Sequence, residues 1–194
     1  MRGRIDYEDD DMKRYLVLAR APFFTAIVIP VILATLLAWR ETGRIDWIRF
    51  VLTLVGVVGA HAGANLMNDF YDFKLGADQN NPNRNRFSGG SPHLVQGLEK
   101  PSVFFGLGAL SFTVACACGV ALMWMVDRGF GPVAVIALAG FMLAFFYTAP
   151  PLKLVYRGFG EFSIFLGFGL LPALGAYYVQ TATLTWNALL IGVT

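Results

Sequence analysis

The sequence predicts an all-α, polytopic transmembrane helical bundle, and three observations carry that prediction. Only 14% of its 194 residues are charged and 56% are hydrophobic, where an ordinary soluble domain carries about 25% charged residues. Five apolar runs are each long enough to cross a hydrocarbon core of about 30 Å, which takes around 20 residues in helical form. No period-two alternation is present. Helices are then what remains, because backbone groups in lipid must bond one another.

The elements follow in order. Residues 1–14 are highly charged and include Glu8, Asp9, Asp10 and Asp11; they read as a solvated cytoplasmic tail. The run after them is too long for the core of a signal peptide and has no clear small-residue cleavage site, so it reads as a retained first span. The spans are expected at 22–39, 48–67, 103–126, 132–149 and 162–179. A sixth apolar run starts near Leu184 and is still apolar at Thr194. The expectation is one membrane domain over 1–194, forming the N-terminal part of a longer chain that continues through its sixth helix. Cys116 and Cys118 are two apart on a helix, point to nearly opposite sides, and read as small apolar fillers.

Lys and Arg placement orients the bundle. With a cytoplasmic N-terminus, eleven of the fifteen lie inside and four, Arg40, Arg44, Arg49 and Arg128, lie outside. The long loop from about Asp69 to Lys100 and the loop from Pro150 to Gly160 then share the cytoplasmic face. A net charge of +2 with no basic run argues against a nucleic-acid partner. The partner the composition implies is a lipid bilayer.

One segment concentrates polar residues at a membrane edge. The second span runs into His61, Asn65, Asn68, Asp69 and Asp72, and at about 100° per residue these five fall within one stripe of about 100°. Polar groups there are expensive to bury and are by default a functional hypothesis. Oxygen ligands favour a hard cation, and Mg²⁺ takes one or two carboxylates with water and substrate phosphate completing its shell. A metal-bridged diphosphate fits; the bland alternative is that the acids only mark where the helix meets water. His61 alone reads as a packed or hydrogen-bonded helix histidine. The loop continues through Lys74, Gly76 and Asp78 to Arg84, Arg86 and Gly89-Gly90, and a lone Gly-Gly is weak evidence for an anion cradle. The second inside loop, Tyr147 to Glu161, brings Lys153, Arg157 and Tyr156 to the same face, where a leaving diphosphate needs positive charge. Its bland alternative is an ordinary positive-inside anchor.

These residues resemble a UbiA-type intramembrane prenyltransferase. That family carries Asn-Asp-x-x-Asp at the end of its second helix, matched by Asn68, Asp69 and Asp72, with Asn65 three residues before. The next acid is Asp78, giving Asp-x-x-x-Gly-x-Asp through Gly76. That spacing is similar to the menaquinone-pathway branch, which prenylates 1,4-dihydroxy-2-naphthoate, rather than to the 4-hydroxybenzoate branch. The resemblance implies about nine helices around a cavity and a second Asp-rich motif after the sixth helix. After Asp127 this sequence has no Asp and only Glu161 as an acid, so that motif is expected beyond Thr194.

The resemblance also implies roles. Mg²⁺ would be held by Asn68, Asp72 and Asp78 with help from Asn65 and Asp69, gripping a polyprenyl diphosphate. Lys153 and Arg157, with Arg20 and Arg86, would neutralise the departing diphosphate, Tyr156 would contact it, and Tyr147 would face the allylic cation. The acceptor is an aromatic ring. From another class, a membrane ion transporter could use the same stripe as an ion site, although such sites tend to lie near the bilayer midplane. A phosphatidyl-alcohol transferase expects a denser Asp-Gly and Ala-Arg pattern, which is missing.

Overall fold

A computed structural model describes residues 11–77 and 90–193. The elements are α1 (Asp11–Leu18), a 3-10 turn (Ala21–Phe24), α2 (Thr25–Thr42), α3 (Trp47–Lys74), the single turn α4 (Pro92–Val95), α5 (Pro101–Val126) and α6 (Pro132–Phe146). A second 3-10 turn (Leu154–Arg157) leads into α7 (Gly160–Ile164), a π-helical turn (Phe165–Leu170), α8 (Leu171–Thr181) and α9 (Trp186–Val193). No strand occurs among the described residues. The all-α membrane bundle expected from the sequence is what forms.

Among the described residues four segments are long and apolar enough to cross a membrane: Ala21–Thr42, Trp47–Lys74, Pro101–Val126 and Gly160–Thr181. The expected fourth span, 132–149, is corrected. Its helix stops at Phe146 after 15 residues, which at about 1.5 Å per residue is some 22 Å, short of the core thickness. Pro150 and Pro151 follow, and proline both lacks an N–H and pushes its predecessor out of the α region, so the helix cannot run on to Ala149. Two smaller boundaries also move. Asp11 to Arg14, assigned to the tail, open α1, and α3 continues past Met67 to Lys74.

The central pair is α3 and α5, antiparallel and close. A Cβ on Gly59 would stand 3.1 Å from the Ser111 carbonyl oxygen, and one on Gly63 would stand 2.9 Å from the Phe112 ring. Small residues substitute for hydrophobic drive where lipid is as apolar as the side chains. Cys118 packs in the same seam, opposite Gly56, which is the filler role expected of it. On the other side α2, α8 and α9 meet through Ala34, Ala38, Ala173, Ala176 and Ala188, all fully buried. A separate cluster of Leu18, Ala19, Leu66 and Phe104 packs beneath the Asp-rich end of α3.

Candidate functional site

The 28 residues of α3 reach about 42 Å, so the helix overruns a bilayer core and carries its polar stripe to the edge. Asn65 donates its amide to the Ala19 carbonyl at 2.9 Å, tying the stripe to the turn after α1. Arg20, the next residue, adopts a left-handed backbone (φ 57°). Its guanidinium pairs with Asp69, whose side chain is 0% exposed. One helical turn apart, Asn68 donates to Asp72 Oδ2 at 2.8 Å. The other Asp72 oxygen, Oδ1, accepts from the Tyr156 hydroxyl at 2.5 Å. Two expected loops thus meet, and the side chain that joins them is Tyr156.

Beside the stripe opens a cavity of about 1000 Å³. Arg20, Asn65, Asn68 and Tyr147 line it at the Asp-rich end, and apolar side chains of α2, α3, α5, α6 and α8 form most of the remaining wall. Its α3 lining runs from Asn68 to Leu52, sixteen residues or about 24 Å of helix. A long hydrocarbon fits such a space, with its polar end at the stripe.

The structure does not bring every expected residue to one point. Asp69 and Arg20 hold each other rather than standing separately at a metal and a diphosphate. Arg157 is exposed and donates Nη2 to the Pro151 carbonyl at 3.1 Å, folding back on its own loop. Lys153, half-buried, opens the 3-10 turn in the left-handed region (φ 46°). Tyr147 lies one residue past α6, within electrostatic reach of both Glu161 and Asp72. Asp78, Arg84 and Arg86 lie outside the described residues.

The donor set suits a hard divalent cation. Each Asp72 oxygen takes one donor, leaving lone pairs, and the Asn68 amide oxygen adds a neutral ligand. Among the described residues no three His, Cys, Asp or Glu side chains cluster.

Two parts of the site carry little signal in the sequence. The π turn at Phe165–Leu170 contributes Gly167 and Phe168 to the cavity, and such bulges gather at functional sites. Its only sequence signal is the Gly167 and Gly169 pair. The Ala19 carbonyl that fixes Asn65 carries no residue signal at all.

A helical membrane bundle with an oxygen-rich stripe at one end of a lipid-sized cavity defines the class. The chain belongs to the UbiA prenyltransferase family, whose sequence pattern matches residues 27–194. It is 31% identical over 178 residues to UbiA prenyltransferase domain-containing protein 1 of Xenopus tropicalis, covering 91% of this chain and 49% of that protein. The Homo sapiens protein of that name is 30% identical over 169 residues, 87% of this chain and 48% of its own. A 1,4-dihydroxy-2-naphthoate octaprenyltransferase of Bacillus subtilis (strain 168) is 28% identical over 176 residues, 91% of this chain and 54% of its own. The chain spans about half the length of these curated relatives.

Proposed function

We propose that this chain forms the diphosphate-binding half of an enzyme that transfers a polyprenyl group from polyprenyl diphosphate to an aromatic acceptor, 1,4-dihydroxy-2-naphthoate, in menaquinone biosynthesis. The observation that carries the reading is that Asn65 and Asn68 line the polar end of a long apolar cavity, with Asp72 hydrogen-bonded to Asn68 one turn further along the same stripe. The naphthoate acceptor is supported by the likeness to the Bacillus subtilis enzyme and by the Gly76 and Asp78 spacing. The charge asymmetry supports a stripe on the cytoplasmic side of the membrane.

Asn68 and Asp72, with Asp78 following in the sequence, would hold Mg²⁺, which when bound would supply positive charge to offset the negative charge developing on the leaving diphosphate. Tyr156 orients the Asp72 carboxylate. The buried Asp69–Arg20 pair braces the stripe while Arg20, which lines the cavity, presents positive charge to it; Lys153 and Arg157 on the second loop, and Arg86 in the sequence of the first, would add positive charge for the leaving diphosphate. The C1–O bond breaks, diphosphate departs with the electron pair, and the allylic cation remains in the cavity. The face of Tyr147 stabilises that cation by about 0.5–2 kcal/mol, and apolar walls keep water from it. The ring carbon that bears the carboxylate attacks C1, and rearomatisation expels that carboxylate as carbon dioxide, its C–C bond electrons returning to the ring.

The test is Asp72→Asn in the full-length protein with a labelled prenyl donor and an acceptor panel including 4-hydroxybenzoate. Transfer should fall about 10²–10³-fold, the scale of losing one group that stabilises developing charge. Chelation should abolish transfer and Mg²⁺ restore it. Undiminished transfer by the variant at saturating Mg²⁺ sinks the Asp72 role, and cation flux in proteoliposomes without donor points to transport instead.

A further inference from the structure

Deep in the cavity stands a polar side chain whose hydrogen-bonding capacity the protein leaves unused. His61 lies on α3 four residues from Asn65 and seven from Asn68, on the same stripe, about 10 Å further from the Asp-rich end than Asn68. It lines the cavity, is only 4% exposed, and its Nδ1 is buried without a hydrogen-bond partner. Phe24 and Phe168 hold the imidazole edge-on from either side, with ring centroids 5.4 and 4.6 Å away. Three other polar side chains of the lining are engaged by carbonyls. Thr53 donates to Arg49, Ser163 to Phe159, and Asn65 to Ala19.

A buried, clamped and unpartnered imidazole is costly unless a ligand completes it. The two ligands of the proposed reaction differ in whether they can. Beyond its diphosphate, the prenyl chain has no polar atom. The aromatic acceptor has hydroxyls, and its attacked carbon must come within about 3–3.5 Å of C1. With the diphosphate at Asn68 and Asp72, C1 lies one level deeper, so the acceptor ring occupies the level of Asn65 and His61.

We propose that His61 is the acceptor-recognition residue: its imidazole accepts a hydrogen bond from a ring hydroxyl of the aromatic substrate and sets the ring against C1. This rests on the prenyl-transfer reading above. The bond leaves electron density on the ring oxygen, and hence on the carbon that attacks. Because Phe24 and Phe168 fix the imidazole beforehand, little ordering remains when the acceptor binds.

The full-length protein is assayed with 1,4-dihydroxy-2-naphthoate and its two monomethyl ethers. His61→Phe, which keeps the aromatic packing and removes both nitrogens, should raise KM for the acceptor about tenfold or more and leave that for prenyl diphosphate within about twofold. His61→Gln, which restores a hydrogen-bonding group, should recover part of the loss. Methylating the contacted hydroxyl should cost the wild type a similar factor and cost His61→Phe nothing further, the coupling expected of one shared bond. An unchanged acceptor KM in His61→Phe, or equal losses on both substrates, overturns the assignment in favour of packing or of a bound water. Should the Phe variant not fold, the wild-type ether series still decides: two ethers transferred as well as the parent overturn it. A wild type that prenylates no aromatic acceptor overturns the functional reading itself, a result separable from all of these.

Discussion

The two ends of α3 carry similar residue types and treat them in opposite ways. At the Trp47 end, Arg49 donates to the Val179 carbonyl at 2.9 Å and to the Met125 carbonyl at 3.1 Å, and its Nε stands 3.2 Å from Asp46. Asp46 and Gln180 exchange two hydrogen bonds, and Asp127 receives Tyr178 and the Val133 amide. Most polar groups named there engage protein partners, although the buried Arg49 Nε forms an ion pair with Asp46 without a hydrogen bond, and the C-terminal carbonyls of α5 and α8 gain a cation that complements their dipoles. At the Lys74 end, Asn68 lines a cavity and Asp72, bonded to it, keeps oxygen lone pairs. The same chemistry closes one end and leaves the other ready for a ligand. Polar residue type alone therefore does not distinguish a latch from a site; unused bonding capacity next to a cavity does.

Within the Asp-rich end the comparison sharpens to two carboxylates three residues apart. Asp69 is buried against Arg20, so Asp69→Ala leaves a cation in a poor environment and should cost about 3–5 kcal/mol. Thermal unfolding in detergent should show a large fall in midpoint, with transfer lost alongside it. Asp72→Asn keeps the shape and both neighbours, and should leave the midpoint within a degree or two while transfer collapses. If the two variants unfold alike, the division between brace and ligand is wrong.

The stripe itself was legible because it depends only on the helical period: His61, Asn65, Asn68, Asp69 and Asp72 share a face in any α-helix through them. The bundle was legible for the same local reason, since each span needs only its own apolar run. What could not be read is which stripe residues face the cavity and which face protein. Arg20 meets Asp69 across 49 positions and Tyr156 meets Asp72 across 84. Arg49 looked like one more outside cation, and its carbonyl partners lie 130 and 76 positions away. Local pattern does not encode such pairings. The shortened α6 is a different failure: hydropathy continues through Tyr147 to Ala149, but Pro150 and Pro151 set the backbone limit.

Arg49→Met probes the closed end next. Losing charge-assisted bonds to two carbonyls should cost about 2–4 kcal/mol, read as a lower unfolding midpoint. Activity per folded molecule should stay within about twofold of wild type, because Arg49 does not line the cavity. A selective rise in either KM without loss of stability would show that the far end shapes the cavity, and the contrast between the ends would have to be given up.

Tyr156→Phe is the smallest and most discriminating change. It removes one hydroxyl from Asp72 Oδ1 and leaves the 3-10 turn and its aromatic ring in place. A bond to a charged group in an exposed setting is worth about 0.5–1.5 kcal/mol, so transfer should fall by about two- to tenfold, with the midpoint little changed. The freed carboxylate oxygen is also a better metal ligand. The Mg²⁺ concentration giving half-maximal transfer should therefore fall or hold steady while kcat declines, because Asp72 loses orientation rather than charge. A higher Mg²⁺ requirement would place Tyr156 among the groups that build the cation site and extend the open end of α3 onto the second loop.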